Sequence, residues 1–332
     1  MNTFTTDIGT SLQHAARWLE AGEPVAIPTE TVYGLAANAL APKAVVKIFE
    51  VKNRPHFDPL IVHVGHVEAL DAYATNIPEA AHVLARHFWP GPLSLLLPKN
   101  NRIPDLVTSG LPRVALRMPA HETALSLLRS LDFPLAAPSA NPFGYISPTT
   151  ARHVWDQLQG RIPYILDGGP CHIGVESTIV GFENGRCVVH RLGGVTVEAL
   201  EAVIGPVLLE VSQNSNPAAP GMLDTHYAPR KPLYLGDLQQ LQAHFTDQKT
   251  GIIRLRPESG VASNPYDIAL SGIGDVSEAA QHLFAAMRRL DAADIDLILA
   301  EWMPEKGLGR AMNDRLRRAA VARHLWRRDS AF

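Results

Sequence analysis

The sequence has few cysteines and few aromatic residues, and it lacks an excess of charge of either sign. Only two of its 332 residues are cysteine, Cys171 and Cys187, and neither stands in a CxxC or a Cys/His pattern. Two isolated cysteines exclude a disulfide framework and favour a reducing compartment. Thirty basic side chains stand against 33 acidic ones, a formal net charge of −3. This balance argues against a broadly basic nucleic-acid clamp, so any contact with RNA must be local.

Long hydrophobic runs are missing as well. No stretch of 18 uncharged apolar residues occurs anywhere in the chain. The N-terminal segment, MNTFTTDIGTSLQHAARWLEAG, has neither the basic start nor the apolar run of a signal peptide. From these two absences we expect a protein that is neither secreted nor membrane-spanning and that acts in the cytoplasm.

Length and composition are those of an ordinary globular chain. The 332 residues exceed the length at which one hydrophobic core usually stops growing, and 46% are apolar against 19% charged. Apolar and β-branched runs alternate with segments of helical periodicity, as in a helix at Ser11–Ala21 followed by a strand around Pro24–Pro28. This order predicts a mixed α/β architecture with two domains.

A polar stretch at residues 210–221, rich in Pro and Ser and without periodicity, predicts a linker. We therefore divide the chain into a first domain at 1–208, a linker at 209–229 and a smaller α/β domain at 230–332. Seven arginines fall in the last predicted helix, and a solvated helix face is their simplest interpretation, with a phosphate or RNA contact as the alternative. They are Arg310, Arg315, Arg317, Arg318, Arg323, Arg327 and Arg328.

Familiar nucleotide-binding signatures are absent. No GxxxxGK followed by Ser or Thr occurs, and Gly272-Ile273-Gly274 lacks the third glycine of the Rossmann pattern. A candidate for phosphate binding is Lys52-Asn53-Arg54-Pro55, because Pro55 favours an extended backbone at Arg54 and two residues two apart on extended chain project to one side. Such a pair of cations suits a polyphosphate, although an isolated pair of this kind also fits a solvated surface.

Further polar groups follow predicted strands. Ser139 and Asn141 lie just after an apolar strand and suit a small ligand, with a simple turn as the alternative. The hydroxyls of the segment at 175–180 fit either strand-edge decoration or ligand donors. Three strand-end arginines would each be read alone as a salt bridge, but together with Lys52 and Arg54 they suggest an anion site. These are Arg113, Arg117 and Arg191.

Two residues that could be mistaken for reactive groups receive simpler interpretations. His63 and His66 are three residues apart on a predicted strand, which places their rings on opposite faces and argues against a metal pair. Cys171 stands beside His172 without the turn or the oriented base of a nucleophile, so we expect an inert thiol.

Several segments, taken in order, are more specific than any one of them. They are PTETVYGL at 28–35, KNRP at 52–55 with PLIVH at 59–63, WPGPLS at 89–94, VALRMP at 114–119, PSAN at 138–141, ESTI at 176–179 and RLG at 191–193. Together they strongly resemble the YrdC/Sua5 family, the L-threonylcarbamoyladenylate synthases. Three later segments resemble the longer, two-domain Sua5 form: PGM at 220–222 followed by HYAP at 226–229, GLG at 307–309, and NDR at 313–315.

The resemblance implies a fold and a reaction. The expected fold is a twisted mixed sheet with flanking helices, joined to a smaller, Rossmann-like α/β domain. The expected reaction converts ATP, L-threonine and bicarbonate into threonylcarbamoyl-AMP and pyrophosphate, which feeds the t6A modification beside the tRNA anticodon. The implied partners are these three substrates and, beyond them, tRNA and the t6A transferase machinery.

The resemblance also implies roles for single residues. Lys52 and Arg54 would be the catalytic cations, acting on the departing pyrophosphate together with Mg²⁺ held mainly by the ATP phosphates. The ATP site would contain Lys52, Arg54, Asp58, Arg113, Ser139, Asn141, Ser147, Arg191, His226 and Tyr227. L-threonine would be held by Thr31, His63, Arg117, Ala137 and Ser177. Arg117 would be the fork for its carboxylate, and the segment at 221–229 would be a lid or, alternatively, simple packing.

Two other functions remain open at this point. One is O-carbamoyl transfer, as in longer proteins that contain a similar module together with metal-binding and acylphosphatase-type segments that this sequence lacks. The other is a non-catalytic RNA or ribosome-binding protein of the same fold, which the net charge of −3 disfavours.

Overall fold

A computed structural model describes residues 4–55, 58–211, 227–258 and 264–321. Within them the chain forms two compact units. The short segments 144–146 and 173–175 group with the second unit, although both stand inside the part of the sequence that we assign to the first domain. The proposed linker at 209–229 falls mostly outside the described residues, so the boundaries at 208 and 230 stay predictions.

The first unit contains eleven strands and eight helices among its described residues. Its strands are β1 (Asp7–Gly9), β2 (Val25–Ile27), β3 (Gly34–Asn38), β4 (Ile61–His63), β5 (Leu93–Pro98), β6 (Arg113–Arg117), β7 (Leu135–Ala136), β8 (Tyr164–Leu166), β9 (Thr178–Glu183), β10 (Arg186–Arg191) and β11 (Leu208–Leu209). Its helices are α1 (Leu12–Glu20), α2 (Pro42–Lys52), α3 (Ala69–Tyr73), α4 (Glu79–Phe88), α5 (Asp105–Thr108), α6 (Glu122–Ser130), α7 (Ala151–Leu158) and α8 (Val197–Ile204).

These strands form a single mixed sheet in the order β1-β8-β2-β3-β7-β4-β6-β5-β9-β10-β11. Strand β4 is parallel to β6 and β5 is parallel to β9, whereas β5 and β6 run antiparallel, as do β9 and β10. Helices pack on the sheet because their apolar stripes need burial. The predicted mixed sheet with flanking helices is confirmed.

The two faces of this sheet are covered differently. One face carries the large core, to which α2, α4 and α7 contribute. On the other face α1 and α6 cover β2, β3, β7 and β8. Directly paired residues of neighbouring strands point to one side, so Leu135 under α6 and its partner His63 share this second face. Farther along the same face lies a small separate cluster that contains no helical residue: Ile61, Leu96, Ala115 and Ile179.

The second unit is a smaller α/β layer. Its strands are β12 (Leu233–Leu235), β13 (Thr250–Arg254), β14 (Asp267–Ala269) and β15 (Leu297–Ala300), and its helices are α9 (Leu238–His244), α10 (Val276–Ala292) and α11 (Leu308–Ala319). The strands pair in parallel in the order β12-β15-β13-β14. This confirms the expected second α/β domain. No helix in the described part of the chain is long and apolar enough to cross a membrane.

Helix α11 corrects the interpretation of the arginine-rich C-terminal segment. Arg315 and Arg318 are 0% and 3% exposed, and both form ion pairs with Asp314, itself 1% exposed. A solvated face is therefore wrong for these two arginines, because burial of one carboxylate draws both guanidinium groups into the interior. Arg317 keeps an exposed side chain. Arg323, Arg327 and Arg328 lie outside the described residues.

The Asp314 cluster predicts a stability effect confined to the second unit. Changing Asp314 to Asn keeps the shape of the side chain but removes the charge that balances two buried arginines, and we expect a loss of about 3 kcal/mol in the unfolding free energy of this unit. Amide hydrogen exchange of α10 and α11 measures it. The matched control is Asp294→Asn, which removes an exposed ion pair with Lys249 and should leave the exchange rates unchanged. Equal rates in both variants would contradict the prediction.

Candidate active site

Polar side chains form a row across the part of the sheet face that α1 and α6 do not cover. His63 of β4 pairs in register with Arg117 of β6, and Ser94 of β5 pairs with Ile179 of β9, which pairs with Arg191 of β10. The antiparallel register of β5 and β6 continues to place Ser94 opposite Arg117. Neighbouring strands are about 4.8 Å apart, so His63 and Arg117 are direct neighbours and the row from His63 to Arg191 spans four strand spacings, about 19 Å.

Arg117 is buried and is held by two groups. Its Nη2 lies 2.7 Å from Oε1 of Glu30, and its Nε donates to the carbonyl oxygen of Gly91 at 3.3 Å. Glu30 belongs to the loop between β2 and β3. The same loop holds Thr31, whose hydroxyl lies 2.8 Å from that of Thr29. A buried Glu–Arg pair thus stands beside a buried hydroxyl.

Burial determines the protonation of His63 and Cys171, two titratable groups near this pair. Burial, with the charge of Arg117 as a smaller cause, lowers the pKa of His63 to about 3. Its ring is therefore neutral at physiological pH. Burial, followed by the charge of Glu30, raises the pKa of Cys171 to about 12. Cys171 is a buried protonated thiol, as expected from the sequence.

Arg191 connects the row to the start of β9. Its Nη2 donates to the carbonyl oxygen of Ser177 at 2.9 Å and to the Ser177 hydroxyl at 3.0 Å. The hydroxyl of Ser177 also lies 2.8 Å from that of Ser94. Arg191, which the resemblance assigns to ATP, and Ser177, which it assigns to threonine, are therefore hydrogen-bonded to each other.

The conformation at Lys52 differs from the prediction. Lys52 is the last residue of α2, and Asn53 caps the helix in the left-handed region with φ 52°. The argument that Lys52 and Arg54 project together from extended chain is wrong, because a helix end and a left-handed residue separate them. Instead Nζ of Lys52 donates to the carbonyl oxygen of Ser139 at 2.6 Å and to that of Asn141.

Arg54 lies in a second buried charge cluster. Its Nη2 is 2.8 Å from Oδ2 of Asp58, its guanidinium donates to the carbonyl oxygens of Asp58 and Pro59, and it lies 5.9 Å from the centre of the Phe143 ring. Burial and the charge of Arg54 lower the pKa of Lys52, and the charge of Asp58 opposes them. The two carbonyls that accept from Lys52 favour its charged form. Two cations and one carboxylate are thus packed together at the end of α2.

The remaining predicted residues lie at several places. The Ser147 hydroxyl donates to Oε1 of Glu176 at 2.6 Å, and both residues are buried. Arg113 begins β6, four residues or about 13 Å along the strand from Arg117, and pairs with the half-exposed Glu183 at 3.0 Å. The structure does not bring Arg113 into the row.

Ala137 and Tyr227 are described, but His226 is not. Ala137 is buried, and its N–H donates to the carbonyl oxygen of Ile61 at 2.9 Å. Tyr227 belongs to the second unit, where its ring stacks on Phe284 at 5.6 Å and beneath the guanidinium of Arg315 at 5.2 Å. His226 and the rest of the segment at 221–226 lie outside the described residues, so the lid stays a prediction.

Sequence reasoning missed Glu30, Ser94 and Glu176. All three stand inside the segments that carry the family resemblance, and Glu30 and Glu176 are next to the predicted site residues Thr31 and Ser177. A carboxylate between apolar runs was the available signal for Glu30. Among the described residues, no group of three or more His, Cys, Asp and Glu side chains could hold a metal ion.

Comparison with known proteins gives matches over most of the chain. The family model Sua5_yciO_yrdC, described as telomere recombination, matches residues 17–193. The model Sua5_C, described as the C-terminal domain of threonylcarbamoyl-AMP synthase, matches residues 195–321.

Individual relatives are similar over nearly their full length. A threonylcarbamoyl-AMP synthase of Pyrococcus abyssi is 43% identical, over 92% of this chain and 93% of the relative. One of Bacillus subtilis is 42% identical, over 94% and 93%. The crystal structure of Pyrococcus abyssi Sua5 complexed with L-threonine is 41% identical and superposes with a TM-score of 0.89, covering 96% of this chain and 98% of that one.

Gly193 packs closely against the start of β9, and this contact predicts that a larger residue there would displace the strand. A Cβ at Gly193 would meet the backbone of Glu176, Ser177 and Thr178. We expect Gly193→Ala to displace the start of β9, at a cost of about 1–3 kcal/mol for overpacking, and to accelerate amide exchange of β9 and β10. The control is Gly272→Ala, where a Cβ would meet open space. Unchanged exchange in Gly193→Ala would contradict the prediction.

Proposed function

The chain belongs to the Sua5/YciO/YrdC family, and from this we propose that it is a threonylcarbamoyl-AMP synthase that uses ATP, L-threonine and bicarbonate. The amine of threonine and bicarbonate form a carbamate with loss of water. A carbamate oxygen then attacks the α-phosphorus of ATP, and pyrophosphate leaves. The product is threonylcarbamoyl-AMP.

The observation that carries this proposal is the burial of four cations in one unit together with an inert thiol. Lys52, Arg54, Arg117 and Arg191 are each less than 9% exposed. Cys171 is protonated, so it is no nucleophile. A displacement at phosphorus by a substrate oxygen needs positioning and positive charge rather than a covalent intermediate, and this unit supplies both.

On the threonine side, Arg117 binds the carboxylate as a planar fork. Thr31 and Ser177 supply hydroxyl groups within the same buried region, and the neutral ring of His63 adds a hydrogen-bonding group without charge. Ala137 bounds the pocket with a methyl group. This set suits a small amino acid that carries a hydroxyl.

On the ATP side, we assign the phosphates to the cluster at the end of α2. Lys52 and Arg54 stabilise charge on the departing pyrophosphate, and Lys52 also fixes the backbone that carries Ser139 and Asn141. Asp58, Arg113, Ser147 and Arg191 complete the part of the proposed ATP site that lies in the first unit, and the assignment of His226 and Tyr227 to ATP stays a prediction from the sequence. We expect Mg²⁺ to enter with ATP, since this ion is usually held by substrate phosphates and one or two carboxylates. The carboxylate in the cluster at the end of α2 is that of Asp58, which pairs with Arg54.

The product is an activated carbamoyl donor, so a transferase must consume it. We propose the t6A transferase machinery as this consumer and the cytoplasm as the place of action. The two rival functions make different demands. An O-carbamoyltransferase needs no threonine, and an RNA-binding protein needs no ATP turnover.

Pyrophosphate release from ATP by the purified protein tests the proposal. Release should require both threonine and bicarbonate, and mass spectrometry should detect threonylcarbamoyl-AMP. Release that is independent of threonine would favour another carbamoyl transfer. Salt-dependent tRNA binding without any ATP turnover would favour the RNA-binding function.

Removing either cation at the end of α2 should reduce turnover strongly. We expect Lys52→Ala and Arg54→Ala each to lower kcat/KM by roughly 100-fold or more, the scale of a lost charge-stabilising group. The matched control is Lys47→Ala on the same helix, which pairs with Glu23 at a partly exposed position and should stay within about twofold of wild type. Near-normal rates in both test variants would show that the phosphates bind elsewhere.

The hydroxyl-rich pocket predicts a substrate order. Serine lacks one methyl group and should be about 10-fold poorer or worse, whereas valine has no hydroxyl to hydrogen-bond with Thr31 or Ser177 and should be at least about 1,000-fold poorer. Pyrophosphate release with each amino acid at equal concentration measures the order. Equal rates with valine and threonine would rule out the assignment.

A further inference from the structure

Glu30 is the buried group that the proposed site leaves unexplained. Its side chain is 0% exposed. Apart from the ion pair with Arg117, neither carboxylate oxygen has a hydrogen-bond partner among the described residues. A buried carboxylate normally accepts several hydrogen bonds, because desolvation without them costs several kcal/mol. The Glu30 carboxylate is therefore under-satisfied for a purely structural ion pair.

We propose that Glu30 binds the ammonium group of threonine, an inference that rests on the proposed function. An amino acid carries a carboxylate and an ammonium group on one carbon, and Arg117 beside Glu30 presents the complementary pair of charges 2.7 Å apart. The guanidinium receives the carboxylate and the carboxylate receives the ammonium group. Threonine then supplies the hydrogen-bond donors that the oxygens of Glu30 lack.

Among the described titratable groups around Arg117, Glu30 is the one that can supply a negative charge to the ammonium group. The ionisable side chains that interact with Glu30 in the described part of the chain are those of Arg117, His121 and Cys171. Burial keeps Cys171 protonated, and burial lowers the pKa of His121, against a smaller opposing effect from Glu30. His63, on the other side of Arg117, is neutral. Glu30 is the carboxylate that lies within 4 Å of Arg117 among the described residues.

This assignment has a consequence for the reaction. The nitrogen of threonine takes up the carboxyl group from bicarbonate, with loss of a proton from the ammonium group and of water. Held by Glu30 while Arg117 holds the carboxylate, this nitrogen has a fixed position. Glu30 is thus a specificity-determining residue that selects ligands with an amino group.

A ligand pair separates this role from that of a counter-ion for Arg117. Calorimetry measures the binding of L-threonine and of (R)-3-hydroxybutanoate, which is threonine without its amino group, to the full chain and to Glu30→Gln. Wild type should bind threonine roughly 10- to 100-fold more tightly, the scale of one charge-assisted hydrogen bond, and Glu30→Gln should lose most of this preference. Glu23→Gln, a partly buried glutamate that pairs with Lys47 at 2.8 Å and has no assigned role in the site, should keep the preference.

The outcomes decide between the alternatives. If Glu30→Gln changes the affinity of both ligands equally, Glu30 is only a counter-ion and the proposal is overturned. If Glu30→Gln does not fold, wild type alone decides, since equal affinity for the two ligands overturns it as well. Pyrophosphate release by wild type is measured in parallel. If wild type releases pyrophosphate but Glu30→Gln keeps the preference for threonine over (R)-3-hydroxybutanoate, only the role of Glu30 is refuted. If wild type releases no pyrophosphate, the proposed function is refuted.

Discussion

Burial of positive charge on an otherwise apolar sheet is the constraint on which the first unit depends. A cation removed from water must find partners, and each buried cation here finds different ones. Lys52 donates to two backbone carbonyls, Arg117 pairs with Glu30, and Arg191 donates to the backbone and hydroxyl of Ser177. The partners belong to loops between strands, so the charges and the loop conformations determine one another.

This mutual dependence explains why the site and the fold share side chains. Lys52 donates to the carbonyl oxygens of Ser139 and Asn141, and Arg191 donates to that of Ser177, so these two cations help to hold the loops that carry the three residues. A substitution of Lys52 therefore removes a charge and releases a loop at once. Lys47 lies on the same helix and pairs with Glu23 at a partly exposed position, so its substitution removes a charge without removing the hydrogen bonds to Ser139 and Asn141.

The sequence predicted the alternation of strands and helices and the polar residues near several strand ends, because apolar periodicity and the positions of Pro and Gly are local signals. It did not predict the short edge strands β1 and β11. It could not predict the Glu30–Arg117 pair, because this pair joins residues 87 positions apart, one in the loop between β2 and β3 and the other at the end of β6. Lys52 and Arg54 were brought together for the wrong reason. Asn53 tolerates the left-handed conformation that ends α2, and no pattern in KNRP distinguishes that cap from extended chain.

The segment Asn313-Asp314-Arg315 has a structural role, since its side chains hold buried groups of the second unit together. The Asn313 side chain bonds both the N–H and the carbonyl of Met303, which fixes the chain after β15. Asp314 neutralises Arg315, and Arg315 in turn lies over the ring of Tyr227. Three consecutive polar residues thus build the interior of the second unit, because each satisfies another buried group. Two arginines of α11, Arg315 and Arg318, are held inside this unit by Asp314, whereas Arg317 keeps an exposed side chain. Anion binding by the two buried arginines would require breaking their ion pairs with Asp314.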